Sequence, residues 1–127
     1  MNTAIKHPLG FKTDELSICQ LYALNDALRT VFDVLSGLQE QPRFYVERGK
    51  VDESYNDAGL ILDDFCDALG IEIAAIEAIV EGKPVLTREE YDRKFYLLAQ
   101  GYVGGTERPD RVIADLSRIA SSMGDRP

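Results

Sequence analysis

A chain of 127 residues with 45% apolar side chains and a net charge of −8 is sized for one ordinary domain and is too apolar to be disordered. Its acidity argues against a nucleic-acid partner, and two cysteines with no C-x-x-C spacing argue against a zinc or redox centre. No run approaches ~18 apolar residues and none at the start has signal length, so no membrane span is expected and the expected location is the cytoplasm.

Residues 1–12 read as an arm, because Pro8 and Gly10 interrupt any period; Phe11 is its expected anchor. His7 is the only histidine. Placed in the arm, it is expected to be an exposed loop residue, which removes a histidine relay and a Glu-x-x-His di-metal site. Thr13 is the expected N-cap of a first helix, with Asp14 and Glu15 in its first turn. Leu21, Leu24, Leu28, Val31, Leu35 and Leu38 then recur at spacings of three and four and form one face. Ile18, Tyr22 and Phe32 widen that stripe, which leaves room for self-association as a homodimer. Gly37 and Pro42 bracket the end, and residues 42–51 read as a loop that lays Phe44 and Tyr45 on the core.

The second helix is expected from Asp52 or Ser54 to Leu69, with Ala58, Ile61, Leu62, Phe65 and Leu69 facing the core. Gly70 is read as its stop, and a third helix follows from Ile71 to Glu81, closed by Gly82. This pairing has the rhythm of a helix-turn-helix. Its second member would present Glu72, Ala74, Ala75, Glu77, Ala78 and Glu81, however, and carboxylates repel phosphates and do not supply the donors that read most base edges. A degenerate DNA-binding regulator is therefore the alternative reading, not the first.

The fourth helix has the clearest start. Thr87-Arg88-Glu89-Glu90 is a capping box, and Leu86 with Tyr91 fits a hydrophobic staple. A fifth helix begins near Thr106 with Pro109 in its first turn, buries Val112, Ile113, Leu116, Ala120 and Met123, and closes at Gly124 before a frayed tail, 124–127. The expected fold class is all-α: about five helices in a compact bundle or orthogonal array, as one helical domain over 13–123.

Charge is the one asymmetry. Nine acids and no base lie in 52–82, which leaves thirteen acids against fourteen bases elsewhere. Asp57, Asp63, Asp64, Asp67, Glu77 and Glu81 avoid the expected core faces, so they are the expected partner-binding residues for a basic protein surface. Asp63, Asp64 and Asp67 as a Mg²⁺ site, and the aromatics Phe44, Tyr45, Tyr91, Phe95, Tyr96 and Tyr102 around a small ligand, are weaker alternatives; no metal or cofactor is expected. Cys19 and Cys66 are read as reduced core thiols, and the sequence leaves open whether they meet. The expected function is a non-catalytic interaction or regulatory module.

Overall fold

The computed structural model describes residues 7–46, 54–103 and 108–127. Among them lie four α-helices: α1 (Ile18–Gln39), α2 (Asp57–Gly82), α3 (Arg88–Ala99) and α4 (Pro109–Met123). Two 3₁₀ turns, Pro42–Phe44 and Gln100–Tyr102, follow α1 and α3. The all-α class holds. The chain gathers into two compact units: Met1–Lys12 with Asp26–Ala75, and Thr13–Asn25 with Ile76–Pro127.

The largest departure from expectation is α2. The expected second and third helices are one uninterrupted helix through Gly70, so the described residues contain four helices and not five, and the helix-turn-helix pairing is absent there. Gly70 does not have the positive φ of a helix-ending glycine; among the described residues only Gly10 and Gly124 do. Burial explains why the helix continues. Gly59, Cys66, Ile73 and Val80 are buried at intervals of seven, with Leu69 and Ile76 between them. An interior glycine costs about 1 kcal/mol relative to alanine, less than the roughly 2 kcal/mol gained by burying each large aliphatic side chain beyond it.

The same stripe corrects the expected core face. Ile61 is 70% exposed and Phe65 40% exposed. The run Leu60-Ile61-Leu62 spreads apolar side chains over more than half the helix circumference, so hydrophobicity alone does not orient it. Small residues at 59 and 66 decide it instead.

In the first unit, residues 44–46 and 54–56 pair through their main chains. Val46 N donates to Ser54 O at 2.8 Å and Asn56 N to Phe44 O at 2.8 Å. Asn56, not Ser54, caps α2: its Oδ1 accepts from Gly59 N at 2.9 Å, and the expected start at Asp52 lies outside the described residues. Gly59 is required by close approach, since a Cβ there would lie 2.4 Å from Phe44 O and 2.9 Å from Tyr55 Cβ. Tyr45 and Tyr55 stack at 5.0 Å, and both hydroxyls donate to Glu40, at 2.7 and 3.0 Å. That carboxylate pushes the Tyr45 phenol well above its ordinary pKa.

In the second unit, the first helix starts later than expected. Ser17 and Gln20 form a reciprocal capping box: Gln20 N donates to Ser17 Oγ at 3.1 Å and Ser17 N to Gln20 Oε1 at 3.0 Å. Thr13 is buried and lies before the helix. Thr87 caps α3 as expected, accepting from Glu90 N at 3.1 Å. Leu86 is 79% exposed, so the staple with Tyr91 does not form; Leu86 N donates instead to Glu90 Oε2 at 2.8 Å. α4 begins with Pro109 at its first positions and ends at Gly124 with φ of 73°. It buries Ile119, while Ile113 is 64% exposed.

Residues 124–127, expected to fray, make exposed contacts with α3. Arg126 forms a bidentate pair with Asp92 at 2.9 and 3.0 Å, which lowers the Asp92 pKa, and Tyr91 Oη donates to Gly124 O at 3.2 Å. Arg88 Nε donates to Pro127 O at 3.0 Å.

Candidate interaction surface

The six expected partner-binding carboxylates divide into groups. Asp57, Asp64 and Asp67 are exposed on α2 in the first unit. Asp63, half-buried, is committed to structure: Gln39, itself buried, donates Nε2–H to its Oδ1 at 2.9 Å. Glu77 and Glu81 belong to the second unit. There they line a cleft of about 450 Å³ with Leu98, Tyr102, Arg118 and Ile119. Arg118 in that cleft pairs with Asp115 at 3.0 Å and lies 5.9 Å over the Tyr102 ring. The cleft is therefore mixed in charge and not simply acidic.

The first-unit group has a feature that carboxylate placement alone does not reveal. Asp57, Leu60, Asp64, Asp67 and Ile71 follow one another at spacings of three and four, which places them on one side of α2. Leu60 is 50% and Ile71 45% exposed. Beside this stripe run Ile61 and Phe65, also exposed. Acids and large apolar side chains therefore alternate on a single outward strip, and no base occurs between residues 54 and 82. The helical period expects Ile61 and Phe65 in the core and does not place Leu60 or Ile71, yet all four are exposed. The signal that separates them is the seven-residue recurrence of 59, 66, 73 and 80, which includes a glycine and a cysteine.

Glu72 corrects a further expectation. Its expected place is a solvent face, but it is fully buried. His7, expected in an exposed loop, is half-buried, and its Nδ1 lies 2.7 Å from Glu72 Oε2. Leu9 N donates to the other carboxylate oxygen at 2.9 Å. Both contacts join residues more than sixty positions apart, which periodicity cannot signal.

The second unit buries the opposite charge. Lys94 is 9% exposed, and its Nζ donates to Glu81 O at 3.1 Å and Lys83 O at 2.8 Å. It thereby satisfies carbonyls that the end of α2 leaves open. Burial holds its pKa below the ordinary value. Cys19 and Cys66 are both free, and burial pushes both thiols up, toward the protonated and less reactive form. The six aromatics considered for a ligand pocket are divided, Phe44 and Tyr45 in the first unit and the other four in the second.

Among the described residues, no three His, Cys, Asp or Glu side chains converge as metal ligands, and no helix is long and apolar enough to cross a membrane. Compared with known proteins, the chain matches no family model, no curated protein and no solved structure.

Proposed function

We propose that the protein is a non-catalytic interaction module that binds a basic, amphipathic segment of a partner protein through Asp57, Leu60, Asp64, Asp67 and Ile71 of α2. The observation that carries this reading is the alternation of exposed acids with Leu60 and Ile71 on one strip free of bases. The aliphatic side chains supply apolar area, and the carboxylates select a cationic partner and speed its approach. A second copy of the chain is a poor occupant, because two-fold pairing of this strip would set carboxylates against carboxylates. The proposed surface leaves out Asp63, which accepts from Gln39, and Glu77 and Glu81, which belong to the second unit. Free thiols at Cys19 and Cys66 accord with action in the cytoplasm. Reading of DNA gains no support from a helix that passes unbroken through Gly70 with Glu72 buried.

The test uses a fluorescein-labelled amphipathic peptide of leucine and lysine, followed by anisotropy. The wild-type chain is expected to bind it in a salt-sensitive way. The triple variant Asp57→Lys, Asp64→Lys, Asp67→Lys is expected to lose about tenfold or more in affinity, chiefly in association rate, with a flatter salt dependence. Equal binding by the triple variant and the wild type overturns the proposal.

A further inference from the structure

A second strip of α2, beside the first, changes character along its length. Ile61, Phe65, Ala68 and Glu72 are spaced four, three and four apart, so they share one side of the helix. Ile61 and Phe65 are exposed, Ala68 is half-buried, and Glu72 is fully buried. The point where exposure ends is the point where His7 and Leu9 contact Glu72. All of these residues belong to the first unit.

The segment that makes the contact is a tight turn. Gly10 N donates to His7 O at 2.9 Å, and Gly10 takes φ of 73°, a conformation that glycine reaches without strain. The turn presents one ring nitrogen and one main-chain N–H to the two oxygens of a single carboxylate. Two donors facing two carboxylate oxygens is also the pattern of a guanidinium, which delivers both from one planar group. An ammonium is a point charge and does not reproduce it.

We infer that the His7–Gly10 turn is an internal occupant of the α2 docking surface, and that the partner displaces it by setting an arginine guanidinium on Glu72. This rests on the docking reading above and adds to it the identity of the cation. The partner segment carries apolar side chains for Ile61 and Phe65 and an arginine one end further along. Closed, the turn hides Glu72 and shortens the surface; displaced, it extends the surface along the helix. The buried carboxylate is never left without donors, since the guanidinium supplies a pair as the turn withdraws.

The experiment uses the full chain and two labelled amphipathic peptides, identical except that one has arginine wherever the other has lysine. Hydrogen exchange of the Leu9 amide, read by NMR, reports the turn. The arginine peptide is expected to bind about tenfold more tightly than the lysine peptide, and at saturation to abolish protection of the Leu9 amide. In Glu72→Gln the preference for arginine is expected to vanish. Unchanged Leu9 protection at a saturating concentration of arginine peptide overturns the inference, and this readout needs no variant to fold. Equal affinities of the two peptides for the wild type overturn it as well. Should both peptides bind through Asp57, Asp64 and Asp67 while Leu9 stays protected, only this inference falls. Should neither bind, the docking proposal falls first and this one with it.

Discussion

The two units bury charges of opposite sign and satisfy them by opposite means. In the second, Lys94 meets main-chain carbonyls at the end of α2, eleven and thirteen residues away. In the first, Glu72 meets a ring nitrogen and an amide more than sixty residues away. The lysine completes a helix end, so the fold depends on it. The glutamate holds a turn that is not part of any helix, so its loss is expected to free that segment and to leave α2 in place. A buried charge therefore marks a structural post in one unit and a detachable contact in the other.

Lys94→Met tests the structural half of this contrast most severely. Methionine keeps most of the apolar stem and removes the ammonium, leaving the two carbonyls without their donor; the expected loss is about 3 kcal/mol in urea denaturation followed by circular dichroism. The variant should also change the pH profile. Because the folded pKa of Lys94 lies below its ordinary 10.5, the unfolded chain holds the proton more tightly. This group thus makes stability rise with pH from the depressed value up to 10.5, and the methionine variant should lack that contribution.

Gly59→Ala applies the same question to the first unit's backbone. A methyl group 2.4 Å from Phe44 O must shift either the 42–46 segment or the start of α2, at an expected cost of about 2 kcal/mol. His7→Ala should cost less, about 1 kcal/mol, because the turn can open and let water reach Glu72. Its signature is local: Leu9 amide exchange should approach the unprotected rate while the helical circular dichroism is unchanged. A global loss as large as that of Lys94→Met would erase the distinction between the units.

Gly70→Ala should act in the other direction. Nothing lies within 4 Å of the added Cβ and the position is helical, so a gain of about 0.5–1 kcal/mol is expected. A loss there would point to a turn and revive the helix-turn-helix reading. Arg126→Ala is the smallest effect. Its pair with Asp92 is exposed and solvent-screened, so the smallest stability change of the set is expected, and a smaller one still at high salt. Since Arg126 lowers the Asp92 pKa, this contribution exists above the ordinary carboxylate value of 3.8 and fades as pH falls through the lowered one.

What the amino-acid order determined by itself was whatever depends on neighbours a few residues apart. The all-α class, the Thr87 cap and the close of α4 at Gly124 all follow from local backbone chemistry. So does the exposure of Asp57, Asp64 and Asp67, because unpaired carboxylates are costly to bury. Two further local signals, the Ser17–Gln20 capping box and the Asn56 cap, are legible in the sequence but compete with Thr13 and Ser54, which offer the same chemistry earlier in the chain.

Tertiary structure alone decided three things. It carried α2 through Gly70, since the burial of Ile73, Ile76 and Val80 outweighs one glycine's preference. It turned α2 so that Gly59 and Cys66 face inward and Ile61 and Phe65 outward, a choice that three consecutive apolar residues leave open. And it brought His7 to Glu72, because a contact between distant residues has no period and is set only when the chain closes on itself.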